Sequence, residues 1–222
     1  MSTGATRLVV AIETSSRAPS IAALAGDGAI RHRDLEGERA HASDVLPALE
    51  ELLREIGADR RDLARVVVGL GPGSLTGMRV GVAVALGLAR AARADLVGVP
   101  SFEALASDVR GVALLVGDAR GARFNVGAYE VGEEGARELA PLASLDEAGA
   151  RSFLAEPRFA HAVVHADDSS IERFELGGRE PRPLRPRADQ VLRVGLGRTP
   201  AADLASVQPL YLRPFEARTR RR

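Results

Sequence analysis

Apolar and polar positions along the chain change period several times, and each change marks an element. Residues 8–13 (LVVAIE) are a short apolar run that closes on an acid. Thr14, Ser15, Ser16 and Pro19 then supply a polar turn, so the run predicts the first arm of a hairpin. Its second arm is residues 20–25; the Gly26, Asp27, Gly28 turn leads to a third run, 29–35, in which apolar and charged residues partly alternate. Three antiparallel strands are therefore expected to open the protein. From there Val45, Leu49, Leu52 and Ile56 recur at helical spacing. Leu46 and Leu53 widen that stripe, Ser43 is placed to cap it, and Pro47 is tolerable because it falls near the helix start.

Three consecutive valines, Val66 to Val68, predict a strand over 65–69 buried on both faces. The strand runs into Gly69, Gly71, Pro72, Gly73, Ser74, Leu75, Thr76 and Gly77, and then into an alanine-rich helix over 78–94. A strand at 96–99 and a helix capped by Ser101, with Glu103 and Leu105 behind it, complete a first half. Near Gly111 the plan restarts: a strand over 112–116 ends at Asp118, a turn covers 119–122, and 124–131 returns as a strand. In both halves an acid closes an apolar strand ahead of a tight polar hairpin, which points to an internal duplication. A further strand is expected at 160–165, a linker or extended crossover at 179–187 (REPRPLRPR), and a helix at 188–196. The fold class is α/β with mixed sheets and covering helices. The division expected is 1–106 and 107–222, the last helix being a candidate to pack back on the first lobe.

Composition narrows the chemistry. The chain has 222 residues, 45% hydrophobic and 27% charged, enough to bury a core without covalent staples. No cysteine is present, which removes disulfides, thiolate metal sites and cysteine nucleophiles together. All 30 basic residues are arginine, so Schiff-base chemistry and a lysine-dependent phosphate loop are excluded. They balance 30 acids, leaving no global field to draw the chain to nucleic acid or an anionic membrane. No apolar run approaches the ~20 residues of a bilayer span and residues 1–7 lack a signal-peptide core, so a cytoplasmic location is expected. Arg218 and Arg220 to Arg222 are either a solvated tail or local phosphate contacts.

The loop from Gly69 to Gly77 carries the strongest local signal. Glycines let backbone amides approach an anion, and a helix N-terminus behind Ser74 and Thr76 adds a positive end. The same glycines also suit a tight strand-to-helix turn, and Gly77, Gly81, Ala85 and Ala89 make a small-residue face for close helix packing. Both readings stay open. Glu13 with Ser15 and Ser16, and Asp118 with Arg120, are candidates for a nucleotide or metal site between the halves, although a strand-end acid commonly serves its own turn. His161 and His165 share a predicted strand face; His32 and His41 are isolated. No serine stands in a local nucleophile signature.

The opening Val10 to Ser15, the 41–47 segment, the GLGPGSLTGMRVG block at 69–81, GVPSFEALA at 98–106, Asp118-Ala119-Arg120 and PLYLR at 209–213 together resemble the TsaB family. The resemblance runs from the first strand almost to the end of the chain. It implies two actin-like, ribonuclease-H-like lobes. It also implies a non-catalytic subunit that works with TsaD and the ATPase TsaE in transferring threonylcarbamoyl to the adenosine beside the anticodon of tRNA. TsaD is the metal-binding, group-transferring member. On this resemblance the chain dimerises when alone, meets tRNA only through the complex, stays off membranes and has no cofactor of its own, ATP or ADP belonging to the assembly. The weak nucleotide candidates are Glu13, Ser15, Gly71, Gly73, Ser74 and Thr76, and no catalytic or metal residue is assigned. The partner interface is expected at Val45, Leu49, Leu52, Met78, Gly81 and Ala85. The spacing of His161 and His165 matches a TsaD metal motif in a segment that reads as strand, away from where that motif lies. Glu13, where aspartate is common, and Asn125 depart from the family pattern and weaken the case for nucleotide binding by the chain unaided. The competing class is an actin-fold phosphotransferase or hydrolase with its own nucleotide site, including a glycoprotease-like activity.

Overall fold

The computed structural model describes residues 7–35 and 42–213, without the side chains of 42 and 43. His41 and the arginine tail lie outside the described residues, as does the Ser43 side chain expected to cap. The elements follow in the order β1 (Leu8–Glu13), β2 (Ser20–Leu24), β3 (Ile30–Asp34), α1 (Ala42–Glu55), β4 (Leu63–Gly69), α2 (Leu75–Ala92), β5 (Asp95–Val99) and α3 (Ser101–Ala106). The second set is β6 (Gly111–Asp118), β7 (Arg123–Gly132), β8 (Gly135–Asp146), α4 (Glu147–Leu154), β9 (Val163–Ala166), α5 (Asp168–Arg173), β10 (Arg182–Pro183) and α6 (Ala188–Leu196).

The first sheet has the order β3-β2-β1-β4-β5, with the opening hairpins antiparallel and β1, β4 and β5 parallel. The second is β10-β9-β6-β7-β8, with β6-β7-β8 antiparallel and β6, β9 and β10 parallel. Read from its other edge, the second sheet repeats the first strand for strand. Each parallel step needs a crossover, which α1 and α2 supply in one lobe and α4 and α5 in the other. The duplication suggested by the two hairpins thus extends to the whole connectivity.

The third helix of each set leaves its own sheet. Phe102, Leu105 and Ala106 of α3 pack with Ala113, Leu115, Tyr129 and Val131 of the second sheet. In return Ala188, Val191 and Leu192 of α6 pack with Val9, Ala11, Ala22, Val67, Val97 and Val99 of the first. Gly195 permits the close approach, since a Cβ there would lie 2.3 Å from Val67 Cγ1. The opposite face of the first sheet carries α1 and α2 through Val45, Leu49, Leu52, Val82, Ala85 and Ala89. An ion network holds the exchanged helices in place. Asp189 is clasped by Arg187 at 2.9 Å and Arg193 at 3.0 Å, and Arg193 reaches back to Asp108 at 3.1 Å.

The structure differs from the sequence reading at several places. The twelve-residue β8, α4 and α5 stand where no element was expected. β8 is an edge strand, half exposed and interrupted by Pro141, so its apolar alternation is faint. The strand expected at 160–165 is Val163–Ala166, and His161 sits in the preceding turn, off the strand face of His165. Ser101 is the first residue of α3 and makes no cap, the N-cap position falling to Pro100. Finally, α2 is long and apolar enough by composition to cross a membrane, which the sequence reading did not expect of any segment. Its Met78, Gly81, Val82, Ala85 and Ala89 are nevertheless buried.

Candidate functional site at the strand-end loops

Parallel strands deliver their C-terminal ends to one edge of the sheet, and in the first lobe three of them bring residues together there. β1 contributes Glu13, with Ser15 just beyond it; β4 runs into the glycine loop, and β5 leads to Ser101. Glu13 is wholly buried. Its Oε1 accepts the Ser15 N–H at 2.6 Å and its Oε2 accepts the Ser101 hydroxyl at 2.5 Å. The Ser101 oxygen in turn accepts the Gly71 N–H at 2.9 Å and the Ser15 hydroxyl at 3.2 Å. The Ser101 N–H returns to the Gly71 carbonyl at 2.7 Å. Among the described residues no arginine or histidine is bonded to this cluster. Burial pushes the Glu13 carboxyl above the ordinary carboxylate range, and the hydrogen bonds from Ser101 and Ser15 oppose that shift without cancelling it.

The glycine loop is shaped by its own chain. A Cβ on Gly69 would lie 1.9 Å from Glu13 Oε2, one on Gly73 2.2 Å from the Ser15 carbonyl oxygen, and one on Gly77 2.0 Å from the Thr14 carbonyl oxygen. The Ser74 N–H donates to that Ser15 carbonyl at 2.7 Å, and the Gly77 N–H donates to Ser74 Oγ at 3.3 Å. The Thr14 hydroxyl donates to the Gly77 carbonyl at 2.7 Å. The amides of Gly71, Ser74 and Gly77, which the phosphate-cradle reading would aim at an anion, are therefore committed to protein acceptors. The β1–β2 turn occupies the space that the missing side chains leave. Thr76 is exposed in the first turn of α2.

At the equivalent end of the second sheet the arrangement is open. Asp118 is exposed and its Oδ1 accepts the Arg120 N–H at 2.8 Å, closing its own turn. Arg120, Gly121 and Ala122 all have positive φ, at 62°, 64° and 55°. The Asp118 N–H donates to Asp167 Oδ2 at 2.7 Å, and Asp167 Oδ1 accepts the Ser170 N–H at 2.9 Å as the cap of α5. Asp167 was missed from the sequence; its legible signal was an acid between a strand and a capped helix. Among the described residues no hydrogen bond joins the Glu13 cluster to Asp118. No group of three His, Asp or Glu is placed to hold a metal among them either. His165 is buried, bonded through Nδ1 to the Pro183 carbonyl at 3.1 Å, and burial lowers its pKa.

The six residues expected at a partner interface are interior. Val45, Leu49, Leu52, Met78 and Ala85 are each less than 5% exposed, and Gly81 is buried with the space of its absent Cβ taken by Thr14 Oγ1 at 2.4 Å. The small-residue face of α2 admits the protein's own β1–β2 turn and sheet, which is the physical reason for the small side chains. What α1 and α2 turn outward is a different set: Leu46, 45% exposed, Leu75, 39% exposed, and beside them Val80, Ala83 and Gly87.

Comparison with known proteins places this architecture. The family model for TsaD, tRNA N6-adenosine threonylcarbamoyltransferase, matches residues 35–159, more than half of the chain. The TsaB protein of Escherichia coli (strain K12), a tRNA threonylcarbamoyladenosine biosynthesis protein, is 34% identical over 98 residues, 44% of this chain and 42% of its own length. TsaB of Bacillus subtilis (strain 168) is 34% identical over 125 residues, 55% of each chain. The chain thus spans about half the length of the curated relatives it matches. Among solved structures, an uncharacterized Pseudomonas aeruginosa protein with similarity to peptidase YeaZ superposes with a TM-score of 0.78 at 25% identity, over 94% of this chain and 100% of that one. YeaZ from Pseudomonas aeruginosa gives 0.80 at 24% identity over 93% and 100%, a likeness of fold. With its two repeated sheets and the matched 35–159 span, the chain belongs to the TsaD family, and the curated proteins it is similar to include TsaB.

Proposed function

We propose that this chain is a non-catalytic subunit in the formation of threonylcarbamoyladenosine on tRNA, acting by docking to a catalytic TsaD protein with TsaE as the third component. The observation that carries the reading is the state of the strand-end loops. The acid that closes β1 is buried on serine donors, and the amides of Gly71, Ser74 and Gly77 beside it are bonded to the protein. A group sealed in this way does not reach a substrate, a metal or an adenylate without dismantling the turn that seals it. A phosphotransferase or hydrolase with its own nucleotide site needs those amides open.

Docking falls to the outer faces of α1 and α2. Leu46, Leu75 and Ala83 are apolar and exposed, with Val80 half-buried among the residues of α2, and two helices of this kind suit a helix-on-helix contact with a second α1–α2 pair. The same surface serves a homodimer when the partner is absent, and tRNA is met only within the complex. ATP or ADP belongs to the assembly.

The test is reconstitution. The chain alone, given threonylcarbamoyl-adenylate and tRNA, is expected to transfer nothing, and transfer is expected once TsaD and TsaE are added. Ala83→Arg, a change on the exposed face, is expected to keep the melting temperature and abolish capture of TsaD. Transfer by the isolated chain, or tight calorimetric binding of ATP to it, would overturn the reading in favour of an enzyme with its own site.

A further inference from the structure

After α6 the chain does not end at the second lobe but runs back along the first. Arg198 Nη2 donates to both carboxylate oxygens of Glu103 on α3, at 2.5 and 2.6 Å, and the Ala201 N–H donates to the Leu96 carbonyl at 2.9 Å, covering the outer edge of β5. Val207 is buried in the core shared by α1, α2 and the first sheet. The Leu210 N–H then donates to the Leu70 carbonyl at 2.8 Å, at the entrance of the glycine loop. The Tyr211 hydroxyl accepts from Arg79 Nε at 2.9 Å, and the Arg79 guanidinium lies 5.6 Å from the Tyr211 ring centroid. Two residues on, Arg213 Nη2 donates to the Ala119 carbonyl at 2.9 Å, in the β6–β7 turn of the other lobe.

We infer that residues 207–213 are a strap that sets the separation of the two lobes at their strand-end edges, where it bonds Leu70 of one and Ala119 of the other. The anchor and the reach are separate parts. Val207, Leu210 and Tyr211 fix the segment to the first lobe through burial, a backbone bond and the Arg79 contact. From Leu210 to Arg213 is three residues, at most about 10 Å of chain at about 3.5 Å each, so the bond to Leu70 in one lobe and the bond to Ala119 in the other lie within one short span. Its far end grips a turn whose carbonyl is presented by the consecutive positive-φ residues 120–122. The contact is one charge-assisted hydrogen bond on the surface, so it biases the opening by a fewfold factor and leaves the lobes able to part.

Absence of cysteine makes the test direct. Arg90→Cys on α2 and Glu172→Cys on α5 are exposed positions in different lobes that accept spin labels. Labelled full-length chain, diluted in unlabelled protein so that only distances within one molecule are read, is expected to give a narrow distribution by pulsed electron resonance. Arg213→Ala should raise the population at longer distance about fivefold, and Tyr211→Ala, which loosens the anchor by removing its Arg79 contact, should shift it in the same direction by less, both with circular dichroism unchanged. Distributions that superimpose on the unaltered chain in both folded variants would overturn the strap. Because neither measurement involves TsaD or tRNA, its failure is distinguishable from failure of the subunit reading.

Discussion

The two lobes share one strand order, yet the acids that close their first strands live in opposite surroundings. Glu13 is wholly buried, whereas Asp118, at the same topological position, is exposed. The difference is made by neighbours rather than by the strands. In the first lobe a loop with glycine at 69, 71, 73 and 77 folds close enough to seal the acid, and Ser101 supplies a hydroxyl donor from the residue that follows Pro100. In the second lobe Asp167, just past the end of the neighbouring strand, takes up the Asp118 N–H and caps a helix, and the Asp118 side chain stays exposed. Equivalent scaffolds therefore host a sealed brace on one side and an open turn on the other.

The sharpest way to break that contrast is to add one carbon to the sealed loop and one, as a control, to the β7–β8 turn of the other lobe. At Gly77 a Cβ meets the Thr14 backbone oxygen at 2.0 Å, and backbone cannot step aside as a flexible side chain can. Gly77→Ala is expected to cost about 3 kcal/mol or more in urea unfolding, at the upper end of overpacking penalties. Gly132→Ala, in the second lobe with nothing within 4 Å, should change stability by no more than about 0.5 kcal/mol. Equal effects at the two sites would mean that the first loop yields where its geometry says it cannot.

Removing the acids comes next in size. Glu13→Ala leaves the Ser15 N–H and the Ser101 hydroxyl buried without their acceptor, and each such orphan costs about 1–3 kcal/mol. Ser101→Ala is expected to fall in the same range, because it orphans the Gly71 N–H and one oxygen of Glu13. Asp118→Asn keeps an oxygen for the Arg120 N–H at an exposed site and should leave the unfolding midpoint within about 0.5 kcal/mol of the parent. A large loss at Asp118 together with none at Glu13 would reverse the assignment of brace and open turn.

Much of this contrast was legible in the sequence, and the part that was not has a physical cause. Alternating hairpin runs, the triple-valine strand and the helical stripe of Val45, Leu49 and Leu52 reported their elements directly, since each buries one period-matched set of side chains. Glu13, Ser15 and the glycines also drew notice as a group. Their partner Ser101 did not, being read as a cap, because its bond to Glu13 spans 88 residues and no local pattern encodes it. The interface residues failed for a related reason. A stripe of apolar or small residues states that something packs there and is silent about what, and in α2 the occupant proved to be Thr14 of the same chain. Leu46 was read as the edge of an inner stripe and turned out to face outward. β8 was overlooked because an edge strand with one wetted face carries little period-two contrast.

The smallest expected effect concerns protons, and it separates the sealed acid from a charged one elsewhere. Burial raises the folded-state pKa of Glu13 above its ordinary value of 4.5. A group raised in this way contributes stability that is fully present below the unfolded pKa and is lost as pH rises through the folded one. Asp189 behaves oppositely: burial disfavours its charge, but the Arg187 hydrogen bonds, with Arg193 and His32 adding to them, outweigh that cost and hold it at about 2. Its contribution is present above 3.8 and is lost as pH falls toward 2. Glu13→Gln cannot ionise, so the stability difference between the parent and this variant should shrink as pH rises above 4.5, when both are unfolded in urea across a pH series. Asp189→Asn should show the reverse trend, its deficit vanishing only in strong acid. A parent-minus-variant difference for Glu13 that grows with rising pH would mean that the carboxylate is stabilised as a charge, and that the strand-end site of the first lobe is polarised by a cation the sealed cluster does not contain.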